Sequence, residues 1–208
     1  MTVSTVASTV TTARLAPEEA AILLNIARRA VTAAAEGRTW KPARRGLPPR
    51  LLEPGASFVT LHVAGKLRGC IGSIEARQPL AFDVAANARN AALYDPRFPP
   101  LTPEELPDLA IEVSVLTPLQ PVPFRGLADL AGRVQPGRDG VLIVRGWQRG
   151  LLLPQVWEHI PDPEAFLTHV ALKAHADTTI YDDPETQAFV FQVEAYTEPA
   201  PAAGAESA

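Results

Sequence analysis

The 208-residue chain is 47% hydrophobic and 20% charged, and 19 Lys+Arg against 23 Asp+Glu leave a formal charge of −4. No apolar run approaches the ~20 residues of a membrane-spanning helix, and residues 1–12 lack the basic start and long apolar stretch of a secretory signal, so a soluble, cytoplasmic protein is expected. A single cysteine, Cys70, excludes an internal disulfide and a CxxC zinc pair, and the acidic balance gives no overall basic footprint for nucleic acid.

The 34 alanines and 21 prolines inflate the apolar fraction, so the core is expected from Leu, Val, Ile and seven Phe. Residues 1–14 (Thr, Ser, Val, Ala) and 198–208 (Pro/Ala-rich) read as disordered tails around a folded segment, 15–197. Pro17 with Glu18 and Glu19 suits a helix start, and Ile22, Leu23, Ile26, Ala30 and Ala33 continue it at 3.6-residue spacing to Gly37. The connector 38–55 carries Arg38, Lys41, Arg44, Arg45 and Arg50. Interrupted by Pro and Gly and without helical spacing, it reads as a solvated loop rather than a nucleic-acid surface. Ser57 to Val63 and Leu67 to Ile71, separated by Ala64-Gly65-Lys66, predict a β-hairpin.

Pro79 to Tyr94 returns to a helical pattern that Asp95-Pro96 ends. Residues 96–108 read as extended and Pro-rich, and Leu109 to Leu116 alternates as a strand. Gly140 to Arg145 and Gly150 to Leu153 form a second hairpin around Gly146-Trp147. Pro154 begins a turn, Asp162-Pro163-Glu164 caps a helix running to about Ala174, and Ala188 to Tyr196 closes as one strand. Strands and helices intermix without a regular βαβ repeat, which predicts an α+β fold with a mixed, mainly antiparallel sheet and flanking helices.

The most unusual run is Leu67-Arg68-Gly69-Cys70-Ile71-Gly72-Ser73. Strand alternation places Arg68 and Cys70 on one face and Leu67, Gly69 and Ile71 on the other. A guanidinium two residues from a thiol favours the thiolate and makes Cys70 more reactive. Gly69 and Gly72 suggest a bulge or a close approach, and the amides after Gly72 suit an anion-binding nest. The competing reading is a packed cysteine acting as a small hydrophobe.

This run, taken with Asp95-Pro96-Arg97-Phe98-Pro99-Pro100-Leu101, Ile111-Glu112-Val113-Ser114-Val115-Leu116 and Arg149-Gly150-Leu151-Leu152-Leu153-Pro154-Gln155-Val156, resembles the AMMECR family, whose bacterial and archaeal members are called AmmeMemoRadiSam system protein A. The four motifs occur in family order across residues 15–197. The resemblance implies two subdomains sharing one cleft near the Leu-Arg-Gly-Cys-Ile-Gly run, and as partners a Memo-like protein and a radical SAM protein. Two positions depart from the family pattern. Gly137-Arg138-Asp139-Gly140 stands where Gly-Arg-His-Gly is usual, and Lys173-Ala174-His175-Ala176 where Lys-Ala-Gly-Leu is usual.

On the strand 109–116, alternation puts Glu112 and Ser114 on one face. Glu112 reads either as a general base with a raised pKa or as part of a solvated sheet face. Arg97 reads as a bidentate anion clamp or as the ion-pair partner of Asp95. Gln155 suits a ligand donor or a turn-bridging amide, and the stripe Asp83, Asn87, Asn90, Tyr94 is expected to face water. The four histidines lack metal spacing and no nucleotide-binding glycine pattern occurs, so neither metal nor cofactor is expected.

Two functional expectations follow. In the first, Cys70 is the nucleophile, Arg68 the thiolate or oxyanion stabiliser and Glu112 the proton acceptor, acting on a small anionic molecule held by Gly69, Gly72, Ser73, Arg97, Ser114 and Gln155. In the second, the chain is a non-catalytic adaptor whose glycine-rich run is a recognition surface.

Overall fold

The computed structural model describes residues 14–198. The expected tails therefore lie outside the described residues except for Arg14 and Glu198. Glu198 is held in the fold, its amide donating to the Ile111 carbonyl at 3.0 Å and its carboxylate receiving Arg28 Nε at 2.9 Å.

The elements run α1 (Pro17–Ala35), β1 (Pro54–Gly55), β2 (Ser57–Val63), β3 (Lys66–Gly72), β4 (Gln78–Pro79), α2 (Leu80–Leu93), β5 (Leu109–Leu116), β6 (Gln120–Val122), α3 (Gly126–Ala131), β7 (Gly140–Arg145), β8 (Gln148–Leu152), α4 (Pro163–Lys173), β9 (Gln187–Phe191) and β10 (Val193–Thr197). The α+β class with antiparallel strands and flanking helices agrees with the sequence reading. The strands divide between two four-stranded sheets, ordered β10-β5-β2-β3 and β6-β9-β7-β8, with β1 and β4 as a small third pair. Every pairing is antiparallel.

The helices α1 and α2 cover one face of the first sheet. Leu23, Ile26, Val31, Val59, Leu61, Val84, Ile111 and Val113 form that core, together with Ala27, Ala30, Ala81, Ala88 and Ala91. Alanine is therefore a working part of the core, because its small side chain lets the helix backbones approach the strands closely. A second core, built on Phe166, Leu167, Val170, Val141, Ile143 and Trp157, packs α4 on the second sheet. A third cluster, Ala56, Leu116, Leu142 and Phe191 with Phe58, Leu151 and Phe189 packed against it, joins the two sheets through their opposite faces.

Three segments depart from the sequence expectation, one being Pro103–Asp108, which coils into a 3-10 helix where an extended run is expected. The run Ala188 to Tyr196 is not one strand. It breaks at Gln192, with β9 serving the second sheet and β10 the first. The break is fixed by Thr117, whose hydroxyl accepts the Gln192 amide at 2.8 Å while its own amide donates to the Gln192 carbonyl at 2.9 Å. Between Leu116 and Gly140, where the pattern assigns no element, lie β6 and α3.

The C-terminus of α4 holds a histidine in the left-handed conformation. His175 has φ +55°, its amide donates to the Leu172 carbonyl at 3.0 Å, and the Ala176 amide donates to the Ala171 carbonyl at 3.1 Å. These are the two bonds of a Schellman ending, whose left-handed residue is ordinarily glycine. His175 thus carries a side chain where Cβ sterics oppose one. His175→Gly is expected to stabilise the chain by about 0.5–1 kcal/mol, seen as a raised urea midpoint. An unchanged or lowered midpoint would mean that the ending is unstrained.

Candidate functional site

The hairpin β2–β3 turns at Ala64-Gly65, both with positive φ. Val63 pairs with Lys66 and His62 with Leu67, but Leu61 pairs with Gly69 and Thr60 with Cys70. One extra residue, Arg68, therefore sits in β3 as a bulge. Simple alternation across 67–71 does not survive it. Leu67 opposes His62, while Gly69 opposes the buried Leu61 on the helix side.

Gly69 answers to packing. A Cβ there would lie 2.2 Å from the Ala91 carbonyl oxygen of α2, so only glycine lets the edge strand reach the helix backbone. Gly72 makes room for Phe58, whose ring would stand 2.2 Å from its Cβ. With Gly69 against the helix, Cys70 lies on the opposite face. There a row of residues crosses the sheet in register, Cys70–Thr60–Glu112–Thr197. The Thr60 hydroxyl lies 3.4 Å from Cys70 Sγ, and the Ser114 hydroxyl donates to Glu112 Oε1 at 3.3 Å. Cys70 and Glu112 stand two strand spacings apart, about 10 Å. Cys70 is half-buried.

Asp95, at the end of α2, organises the outer edge. Its Oδ2 accepts the Cys70 amide at 2.8 Å, a group the edge strand would otherwise leave unpaired. The same carboxylate takes Arg97 bidentately, Nε to Oδ1 at 2.9 Å and Nη2 to Oδ2 at 2.7 Å. The Arg97 guanidinium, with burial opposing, holds Asp95 well below the usual carboxylate range, and the Cys70 amide lowers it further. Asp95 in turn raises Arg97, with burial opposing. The Arg97 side chain remains 55% exposed, and no hydrogen bond among the described residues occupies its Nη1. Both sequence readings of Arg97, partner of Asp95 and anion donor, are thus geometrically compatible.

Arg68 is placed differently. Its Nε and Nη2 bind the Glu105 carboxylate at 2.6 and 3.0 Å, and Nη1 and Nη2 reach the Pro99 and Pro100 carbonyls at 2.8 and 3.2 Å. This guanidinium clamps the segment 99–105 to the bulge, and Glu105 is lowered chiefly by it.

Ser73 also works inside the fold. Its hydroxyl donates to Asp83, which also accepts the Ser57 amide at 2.9 Å, the Ser57 hydroxyl at 2.8 Å and Asn87 Nδ2 at 2.9 Å. Asp83 and Asn87 are buried. The expectation that their stripe faces water is therefore corrected: Ser57 and Ser73 offer donors that repay the burial of this carboxylate. Tyr94, at the far end of the stripe, is exposed.

Gln155 lies elsewhere, exposed in a depression with Pro136, Gly137, Trp157, Glu158 and Pro161. Asp139 is buried. It accepts the Gln135 amide at 3.0 Å, and its carbonyl receives Trp157 Nε1 at 2.7 Å. Both residues belong to the surroundings of the second sheet. Thr60 is the contributor sequence reasoning misses, because counting back from the Ala64-Gly65 turn pairs it with Gly69. Only the bulge brings it opposite Cys70.

No cluster of three or more metal-ligating side chains occurs among the described residues, and no helix among them is long and apolar enough to cross a membrane.

The sequence model of the AMMECR1 family matches residues 24–196. The chain belongs to the AMMECR1 family. A protein of Methanothermobacter thermautotrophicus is 41% identical over 187 residues, covering 89% of this chain and 97% of its own length. A protein of Thermofilum pendens is 39% identical over 203 residues, covering 90% and 93%. The crystal structure of an uncharacterised protein from Pyrococcus horikoshii superposes with a TM-score of 0.80 at 34% identity, covering 88% of this chain and 93% of that one.

Two predictions test this geometry. Gly69→Ala forces a methyl into the Ala91 carbonyl and is expected to cost about 1–3 kcal/mol or more, read as a lowered urea midpoint; a neutral substitution would mean that α2 yields freely. For Asp95, the folded pKa is depressed, so its contribution is complete above the unfolded value near about pH 4 and is lost as pH falls below it. The stability gap between wild type and Asp95→Asn should therefore narrow from pH 6 to pH 2.5, and a gap independent of pH would contradict the assignment.

Proposed function

We propose that the chain is a cysteine-dependent enzyme, or the cysteine-bearing component of one, acting on a small anionic molecule over the face of the first sheet that carries Cys70. Cys70 is the nucleophile. Arg97 supplies the anion contact through Nη1, Glu112 is the proton acceptor across the bound molecule, and Thr60 and Ser114 orient these two groups. Gly69 and Gly72 shape the strand, Ser73 anchors it to Asp83, and Arg68 fixes the neighbouring segment rather than the thiol. The observation that carries the reading is the single Asp95 carboxylate, which holds both the Cys70 amide and the Arg97 guanidinium and so fixes the cation relative to the cysteine. Memo-like and radical SAM proteins are the partners the family resemblance suggests.

Alkylation provides the test, since Cys70 is the only thiol. An anion site at Arg97 favours iodoacetate over neutral iodoacetamide. The ratio of the two rates should be roughly fivefold higher in the native protein than in urea, and Arg97→Ala should remove most of that preference. A thiol inert until unfolding would sink the nucleophile role.

A second reading, a non-catalytic adaptor, is favoured by Trp147 at the β7–β8 turn and Leu172 on α4, 82% and 59% exposed. It predicts that a co-expressed Memo-like or radical SAM protein is retained by Cys70→Ser and lost from Trp147→Ala. Retention that requires Cys70 counts against it.

A further inference from the structure

Residues 20–52 carry seven cationic side chains and one carboxylate, Glu36, although the formal charge of the whole chain is −4. They make up most of α1 and the connector beyond it. Three of the seven are committed: Arg28 to Glu198 and the Leu109 carbonyl, Arg38 to Glu36, and Arg50 to the Arg14 carbonyl. Arg29, Lys41, Arg44 and Arg45 are exposed and make no ion pair with a described residue. To these α2 adds Arg89, exposed and hydrogen-bonded to the neighbouring Asn90 at 3.4 Å rather than to a carboxylate.

The carboxylates around this layer do not neutralise it. Asp83 of α2 is buried and turned toward Ser57 and Ser73. Glu18 and Glu19 stand in the first turn of α1, about 15 Å along the helix axis from Arg29. Glu53, whose carbonyl receives the Leu80 amide at the start of α2, is exposed and makes no ion pair with any of the five. Nor is the connector loose. Pro42 is buried, and Trp40 and Leu47 pack against the core that α1 and α2 share, so the cations of the connector are held on the helices.

Three of the cations sit over aromatic rings. The guanidinium carbon of Arg29 lies 4.7 Å from the centre of the Trp40 ring, that of Arg44 5.8 Å from Phe82, and that of Arg89 5.7 Å from Tyr94. Phe82 and Arg89 are two helical turns apart on one side of α2, about 11 Å. Cations and rings therefore alternate from the connector to the end of α2, where Tyr94 is 62% exposed. A guanidinium seated on a ring keeps its charge and its N–H edges for phosphate oxygens, and both the ring and the guanidinium plane are surfaces on which an unpaired base can stack.

We propose that the outer face of α1, α2 and the connector binds a single-stranded polynucleotide, with Lys41, Arg44 and Arg45 on its phosphates and bases stacked at the arginine–aromatic pairs. An acidic peptide would meet the same charges but gain nothing from the rings, and a duplex offers no free base faces along its length. The helices cover the side of the first sheet opposite to Cys70, so this surface is independent of the thiol.

Fluorescence anisotropy on the full chain tests this, with labelled oligouridylate and oligothymidylate of about twelve nucleotides, a duplex and a glutamate peptide of matching length, at about 50 mM salt. At least one single strand should bind saturably and no less than fivefold more tightly than the duplex or the peptide; the tighter of the two assigns the sugar. Its log K should fall against log salt with a slope of about −2 to −3.5, as for three to five phosphates. The double substitution Arg44→Gln and Arg45→Gln should weaken binding at least tenfold and make that slope shallower by about 1.4. Tyr94→Ala should weaken it about fivefold or more with the slope unchanged, because stacking releases no counterion. All three positions are exposed, so the circular dichroism spectrum and urea midpoint should not move, and Cys70→Ser should bind as wild type. Duplex or peptide binding as tight as either single strand, single-strand binding indifferent to the Arg44/Arg45 pair or to Tyr94, or no saturable binding would each overturn the proposal.

Discussion

The contact on which the site depends is the one between the edge strand β3 and the backbone of α2 at Gly69. A methyl group there would overlap the Ala91 carbonyl, so strand and helix meet at a distance only glycine permits. That contact decides which way β3 faces. With Gly69 turned to the helix, Cys70 must face away from it, in line with Thr60 and Glu112. The same approach brings the end of α2 beside the strand edge, where Asp95 takes the Cys70 amide. The second sheet repeats the device, since a Cβ on Gly150 of β8 would lie 2.0 Å from the Val170 carbonyl of α4. In both halves a helix is seated on an edge strand through a glycine, and the chain spends its conformational freedom there for packing rather than for a turn.

The relation between the halves rests on two crossings of the chain, Thr117 to Leu119 outward and Gln192 back. They run side by side and bond to each other through both backbone and hydroxyl groups of Thr117. Because β9 and β10 are one residue apart yet belong to different sheets, the two sheets cannot separate without breaking that pair. The apolar cluster around Phe58, Leu116, Leu142 and Phe191 fills the space between them, and Arg149 of the second sheet reaches Glu75 beyond the end of the first.

Much of the fold was legible because its signals are local. Pro17 with Glu18 and Glu19, the Asp95-Pro96 stop and the Asp162 cap each mark a helix end by chemistry within one turn, and the structure places α1, α2 and α4 there. The strand break at Gln192 was not legible, since Gln192 and Glu194 also fit the outward positions of one alternating strand and the cause is the distant Thr117. The burial of Asp83 and Asn87 was hidden for the same reason: helical periodicity places them on a polar face, and only the tertiary fold brings Ser57 and Ser73 to meet them. On the sheet face that carries Cys70, the shared side of Glu112 and Ser114 was legible from alternation. Thr60 and the altered placement of Arg68 were not, because a single bulged residue shifts the pairing by one. Alanine was misjudged as filler, when its small volume is what allows α1 and α2 to lie close against the sheet.

The two arginines of the site show how geometry, rather than charge, separates roles. Both are ion-paired, Arg68 with Glu105 and Arg97 with Asp95, so neither adds net positive charge to its surroundings. Arg68 also gives hydrogen bonds to two carbonyls and is 13% exposed; recruiting it to a substrate would mean breaking contacts that hold the segment 99–105. Arg97 binds its carboxylate along one edge of the guanidinium and leaves the other toward solvent. A neutral pair of this kind attracts an anion weakly at long range but presents a fixed donor at short range, since the carboxylate prevents the side chain from rotating away. Selectivity at such a site comes from donor position more than from field strength. On a chain whose formal charge is −4, the anion contact proposed for Arg97 would have to be of this local kind.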